Sequence, residues 1–278
     1  MEHTITLNDG HVMPRLGYGV WQVGDDQVEP LVRTAVQSGF RHIDTAQGYS
    51  NEQGVGRALR GLDTPRESLF ITSKLRSGDM GHDKALRSFE GSLDRLGLDY
   101  LDLFLIHWPL PARDRYVDTW KAFIELRASG RVRSIGVSNF TPAHLDRLIA
   151  ETGVVPAVNQ IELHPFFQQR AVRDHHRHHD IVIESYSPLG GTGGKLLENE
   201  TIAAIAAKHG RKPAQIVIRW HLQQGLVPLP KTATASRIPE NLTIWDFALD
   251  DDDMASLAAL DRPDGKTLPP PDVMNDAF

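Results

Sequence analysis

The sequence predicts a single closed (β/α)8 barrel, the TIM-barrel architecture, with an N-terminal β-hairpin and an extra C-terminal helix. Three observations carry that prediction. Short β-rich runs ending in polar residues alternate with longer segments of helical period. Eight such runs share 278 residues, roughly 35 per unit, the length of one strand–helix repeat in an eight-stranded barrel. No long Gly/Ser/Pro linker divides the chain, so residues 1–278 are expected to form one domain, with the Pro-rich stretch from Leu268 to Asp272 as its tail.

Taken in order, Asn8-Asp9-Gly10 marks a hairpin turn. Strands are expected at Arg15–Gly19, His42–Asp44, Leu69–Lys74, Leu101–His107, Ser134–Ser138, Ala157–Ile161, Ile181–Ser185 and Leu226–Leu229. The intervening segments predict helices at Gln27–Ser38, Glu52–Arg60, Lys84–Leu96, Tyr116–Ser129, Ala143–Glu151 and Gln169–His178, then Glu200–Lys208 with Pro213–Gln223. Two more follow, at Ser236–Ile244 and Asp251–Asp261. The repeat is one of pattern, since no unit matches another in sequence.

Composition removes several chemistries. With no cysteine there is no disulfide framework, thiolate metal site, iron–sulfur cluster or cysteine nucleophile. A net charge of -6 and a pI near 6.1 argue against a nucleic-acid partner. The acidic, alternating start Met1-Glu2-His3-Thr4-Ile5-Thr6 is not a secretory signal, and no apolar run approaches the ~18 residues of a membrane span. A cytoplasmic protein is expected.

In such a barrel the site forms at the C-terminal ends of the strands. Asp44 ends the second strand, Tyr49 follows five residues on, Lys74 ends the third, and His107 ends the fourth after Leu103-Phe104-Leu105-Ile106. Three neighbouring strands bring these four to one rim. A phenol near pKa 10 is a poor acid at neutral pH, and a nearby ammonium lowers that value. Lys74 is expected to supply the charge, Asp44 to keep Lys74 protonated, and His107 to hold a substrate oxygen by a hydrogen bond. Carbonyl reduction uses such an acid, because hydride arriving at carbon leaves charge on oxygen. No Gly-x-Gly-x-x-Gly follows a strand. Gly17-Tyr18-Gly19 and Gly190-Gly191-Thr192-Gly193-Gly194-Lys195-Leu196 read as turns, so a dinucleotide here is not held by a Rossmann unit.

Long ordered motifs then resemble the aldo-keto reductase superfamily almost end to end. They are Arg41-His42-Ile43-Asp44-Thr45-Ala46-Gln47-Gly48-Tyr49-Ser50-Asn51-Glu52, Leu101 to Pro109, Ile135-Gly136-Val137-Ser138-Asn139-Phe140, Val158-Asn159-Gln160, Pro230-Lys231-Thr232 and Arg237-Ile238-Pro239-Glu240-Asn241. The short bacterial-type branch that includes 2,5-diketo-D-gluconate and methylglyoxal reductases looks closest. The resemblance implies that Asp44, Tyr49, Lys74 and His107 are the catalytic tetrad, and that the reaction reduces an aldehyde or ketone with NADPH. It implies that Ser138, Asn139 and Gln160 hold the nicotinamide carboxamide and that Tyr186 stacks on its ring. Ser187 and Leu189 then line the pyrophosphate path, Lys231, Thr232 and Arg237 grip the 2′-phosphate, and Glu240 and Asn241 meet the adenine. Trp21 and Trp108, with Tyr49 and His107, wall the substrate pocket, while Trp120, Trp220 and Trp245 fall on helical segments and read as packing.

Some features depart from the family pattern. Ser50 stands where Gly is frequent, and Pro239 lies inside an expected helix. The short loop after Pro109 and the short tail after Asp261 imply an open pocket. The run His175-His176-Arg177-His178-His179 lacks the glutamate of a metalloprotease helix and reads as a solvated face, with no metal expected. A second function class is a cofactor-sensing regulatory subunit with little turnover, which the complete tetrad disfavours. A third is a metal-dependent hydrolase built on Asp44 and His107, which leaves Lys74 unexplained. The expected partners are a small carbonyl substrate and NADPH, with no nucleic acid or membrane, and the monomer is the family's common state.

Overall fold

The computed structural model describes residues 2–191 and 195–274. Thr192, Gly193 and Gly194 of the second glycine cluster lie outside them. Strands β1 (Thr4–Thr6) and β2 (Val12–Pro14) form the expected antiparallel hairpin. Its Leu7 and Met13 pack with Phe70, Leu103, Ala157 and Val227 on the inner, N-terminal side of the main sheet. That sheet has eight parallel strands in sequential order: β3 (Gly17–Gly19), β4 (His42–Asp44), β5 (Phe70–Leu75), β6 (Leu101–Ile106), β7 (Val132–Ser138), β8 (Val158–Glu162), β9 (Val182–Tyr186) and β10 (Val227–Pro228).

The last strand is short because Pro228 and Pro230 have no N–H to donate. The first strand meets the segment just beyond the last through the Gly19 amide, which donates to the Pro230 carbonyl at 3.2 Å, and the Tyr18 hydroxyl, which donates to the Thr232 carbonyl at 2.6 Å. Their approach requires Gly17, where an added Cβ would sit 2.4 Å from Leu229 Cδ2 and 2.9 Å from His42 Nδ1. Gly136 serves the interior in the same way, since a Cβ there would lie 2.6 Å from the Val158 carbonyl oxygen.

The outer helices are α1 (Asp25–Ser38), α2 (Glu52–Arg60), α3 (His82–Leu96), α4 (Tyr116–Ala128), α5 (Pro142–Thr152), α6 (Arg170–His178), α7 (Glu200–His209), α8 (Pro213–Gln223), α9 (Arg237–Glu240) and α10 (Asp251–Ala258). The helix expected over Ser236–Ile244 shrinks to one turn, in which Pro239 is tolerated because first-turn amides have no intrahelical acceptor anyway. Trp245 therefore lies beyond it, in a loop, stacked on His3 with ring centroids 4.1 Å apart. Trp120 and Trp220 are buried packing residues. Among the described residues no helix is long and apolar enough to cross a membrane.

Candidate active site

Strand side chains alternate between the barrel interior and the helical layer, so residues two apart share a face. Leu103 and Leu105 fill the interior below, and His107 follows at the top. Phe70 lies low on β5, and Lys74 stands two pleats above it. Glu184 and Tyr186 share the inner face of β9. The C-terminal mouth thus gathers these polar residues, with buried His42 and Thr72, hydrogen-bonded at 3.1 Å, one pleat below Asp44 and Lys74.

There Lys74 is fully buried and its ammonium donates to Asp44 Oδ1 at 2.6 Å, to the Thr45 carbonyl at 3.0 Å and to the Tyr49 hydroxyl at 3.3 Å. The Tyr49 and His107 rings meet edge to face, centroids 5.7 Å apart. Tyr49 arrives on a 3₁₀ turn, Gln47–Tyr49, which ends at Ser50 in the left-handed region with φ 56°. A non-glycine side chain is strained there, which is the physical reason glycine suits this position.

The turn is fastened by residues whose roles are structural. Asn51 donates to the carbonyls of Val20 and Val23 and accepts from Thr45. The Gln47 amide bonds the Ser88 carbonyl and Ser92 hydroxyl and receives the Arg76 amide. Glu52 receives the Ser73 hydroxyl and the Arg95 guanidinium.

The electrostatics modify the simple expectation for Tyr49. Burial raises its pKa, and although Lys74 pulls the value down, the net shift is upward. The resting phenol is therefore protonated and ready to donate. Burial alone would discharge Lys74, but Asp44 and Tyr49 carry its pKa above the ordinary lysine value. Burial, helped by the Lys74 charge, drives His107 well below its usual pKa, so the imidazole is neutral.

A second chain of hydrogen bonds joins this group. Ser138 Oγ donates to the Gln160 carbonyl, and the Asn139 amide donates to Ser138 Oγ and to the His107 carbonyl at 3.0 Å. The Tyr186 hydroxyl donates to Asn139 Oδ1 at 2.8 Å. Gln160 Nε2 bridges two carboxyls, Asp44 Oδ2 at 2.9 Å and Glu184 Oε2 at 2.8 Å.

Glu184 went unpredicted, although a lone acidic residue inside an apolar barrel strand is a readable signal. Burial and the Asp44 charge raise its pKa to about 8. Burial likewise lowers its neighbour His42 to about 3, so their 3.5 Å contact joins neutral groups and is no ion pair. Folded Glu184 keeps its proton to about pH 8, whereas an unfolded glutamate loses it near 4.5. The folded state binds more protons between those values, so stability falls as pH rises through the window. Glu184→Gln is expected to flatten that slope in urea midpoints measured across the window. An unchanged slope would mean that native Glu184 is ionised.

A cleft of 370 Å³ opens over these residues. Trp21, Asp44, Tyr49, His107, Trp108, Ser138, Asn139, Gln160, Tyr186, Ser187, Leu189 and Lys231 all border it. Lys74 lies beneath. Thr232, Arg237, Glu240 and Asn241 do not reach the cleft and occupy the segment beyond β10. There Thr232 accepts the Thr234 amide, and Glu240 pairs with Lys212 at 2.5 Å. Among the described residues neither Lys231 nor Arg237 pairs with a carboxylate.

The tail, expected to leave the pocket open, instead returns across it. Leu268 and Met274 border the cleft, and buried Glu162 anchors the segment by accepting the Thr267 amide, the Thr267 hydroxyl and the Leu268 amide at 2.7, 2.6 and 3.2 Å. A larger surface depression of 590 Å³, bordered by Gln47, Arg76, Asp79, Lys84 and Arg95, contains none of the predicted site residues.

Comparison with known proteins agrees with this architecture. The profile of the Aldo/keto reductase family matches residues 15–262. The chain is 51% identical over 266 residues to methylglyoxal reductase DkgA of Escherichia coli K12, covering 96% of this chain and 95% of the relative. It is 50% identical over 270 residues to an aldo-keto reductase of Mycolicibacterium smegmatis, covering 97% of each. The crystal structure of a Gox0644 variant in complex with NADPH superposes with a TM-score of 0.94 at 48% identity, covering 99% of both chains. With its family profile, its relatives and its barrel in agreement, this chain belongs to the aldo/keto reductase family.

Proposed function

We propose that the NADPH-dependent carbonyl reduction of this enzyme uses Tyr49 as proton donor, and that its substrates are small aldehydes and ketones, dicarbonyls such as methylglyoxal among them. The observation that carries the reading is the buried chain Asp44–Lys74–Tyr49, contacts of 2.6 and 3.3 Å, opening beneath a cleft walled by Trp21 and Trp108. The Escherichia coli relative named methylglyoxal reductase supports the substrate class.

The residues present fit the cofactor. Ser138, Asn139 and Gln160 offer the hydroxyl and amide groups that a carboxamide requires, and Tyr186 offers an aromatic wall beside them. Ser187 and Leu189 continue the cleft toward Lys231. Among the described residues Lys231 and Arg237 pair with no carboxylate, which suits them to a phosphate. With Thr232 beside them and Glu240 and Asn241 following, this segment would hold the adenosine end. NADPH, when bound, supplies the hydride.

The chain's own residues manage the proton. The Tyr49 hydroxyl and the His107 imidazole bracket the position of the substrate oxygen. The neutral imidazole orients that oxygen by a hydrogen bond. As negative charge grows there, Tyr49 releases its proton, and Lys74 stabilises the phenolate left behind. Asp44 holds Lys74 charged throughout. In the reverse direction the same phenolate accepts the alcohol proton.

We read the chain as one barrel domain acting as a cytoplasmic monomer. Its lack of cysteine suits a reducing compartment, and the large hydrophobics exposed among the described residues are only Val12 and Val273.

One assay tests the reading. Mixing the enzyme with NADPH and methylglyoxal is expected to consume the cofactor absorbance with or without EDTA. In the same assay Arg237→Ala is expected to raise the KM for NADPH by roughly ten- to a hundredfold, the equivalent of the ~1.5–3 kcal/mol of a charge-assisted hydrogen bond. The KM for NADH should scarcely change. Equal effects on both cofactors would remove Arg237 from the phosphate site, and binding without turnover would overturn the enzyme reading of this substrate class.

A further inference from the structure

The histidine run on α6 lacks a third ligand in sequence, but the fold supplies one. His175 lies in the last turn of α6, and His179, four residues on, is the residue that caps its C-terminus. Their rings are 4.8 Å apart between centroids. Asp146, on α5, reaches between them: its Oδ1 lies 2.7 Å from His175 Nε2 and 3.8 Å from His179 Nε2. One ligand atom from each residue falls within 4.8 Å of the other two.

All three side chains are accessible to solvent. Asp146 is the most open at 60% exposure, with His175 at 19% and His179 at 27%. The neighbouring groups are otherwise engaged. Buried His176 is bonded to Asn159 and to the Val172 carbonyl, Arg177 pairs with Asp174, and Arg147 pairs with Asp114 and Glu151. The Nδ1 of His175 is buried without a hydrogen-bond partner, so the ring's polar engagement is the Asp146 contact that a metal would take over.

We propose that Asp146, His175 and His179 form a binding site for zinc or a similar divalent transition-metal ion, which clamps α5 to α6. Two imidazoles and a carboxylate form a ligand set that zinc accepts, with water in the fourth position. Bonds of about 2.0–2.2 Å put ligands in a tetrahedral site roughly 3.3 Å apart, within about 1.5 Å of the present spacing. None of the three residues borders the catalytic cleft, and the ion is therefore structural.

The test uses the full chain without an affinity tag, stripped with EDTA and titrated with zinc by calorimetry. One equivalent is expected to bind with micromolar affinity, and saturating zinc is expected to raise the Tm by a few degrees. Asp146→Asn and His179→Gln should each weaken binding at least about tenfold, a loss that even outer-shell changes produce at metal sites. Both substitutions lie at accessible positions, and normal NADPH-dependent turnover in each variant verifies folding. Absence of binding up to millimolar zinc, or equal affinity and equal Tm shift in both variants, would overturn the assignment.

Discussion

Tyr49→Phe is expected to lower kcat for carbonyl reduction by about 10²- to 10⁴-fold, the range contributed by a positioned general acid. The ring remains, so its edge contact with His107 persists. Only the hydroxyl at 3.3 Å from Lys74 is lost. Among the described residues, Ser138, Asn139, Gln160 and Tyr186, the residues proposed to hold the nicotinamide, make no hydrogen bond to that hydroxyl, so NADPH affinity should stay within a few-fold of wild type. A collapse of NADPH binding would instead assign Tyr49 a structural role. The opposed effects on the phenol sharpen the expectation. Because burial outweighs the Lys74 charge, the resting group is a neutral acid, and Lys74 acts chiefly on the phenolate formed during reaction.

Lys74→Met separates catalysis from stability. Methionine fills the lysine's space but leaves Asp44 as a buried carboxylate facing no cation, with only the Gln160 amide as partner. Breaking one half of a buried ion pair costs about 3–5 kcal/mol, and the urea midpoint should fall accordingly. Asp44→Asn should also destabilise, by stranding the ammonium. The double variant Asp44→Asn/Lys74→Met removes both charges together and is expected to recover most of the lost stability while its kcat remains down by orders of magnitude. Recovery of activity with stability would show that the pair serves only to hold the barrel together.

The fold was legible because its cause is local. Periodicity located all eight strands to within about two residues at either end, and β4, α2 and α8 fell on the bounds expected from sequence. The misjudged helix, Ser236–Ile244, contains Pro239, and the chain after Glu240 continues in turns. The rim residues Asp44, Lys74 and His107 could be read because each falls at the end of an expected barrel strand, His107 after the apolar run Leu103–Ile106. Glu184 and Glu162 were missed for a different reason. The partners that give them their roles are remote in sequence: Gln160 and Asp44 for Glu184, and, besides nearby His164, Thr267 and Leu268 for Glu162. Only three-dimensional closure brings one beside Gln160 and Asp44 and makes the other an anchor for the tail. Asp146, on α5, and His175 and His179, at the end of α6, likewise become one cluster only when adjacent helices pack.

The central claim is that the Tyr49 hydroxyl delivers the proton at the moment of reduction. Steady-state kcat is often set by product release and not by chemistry, so the direct measurement is single-turnover reduction of methylglyoxal with NADPH saturating, compared between wild type and Tyr49→Phe. The single-turnover rate of the variant is expected to fall by at least about a hundredfold while its NADPH dissociation constant stays nearly unchanged. A variant that reduces the substrate within a few-fold of the wild-type rate in that experiment would contradict it.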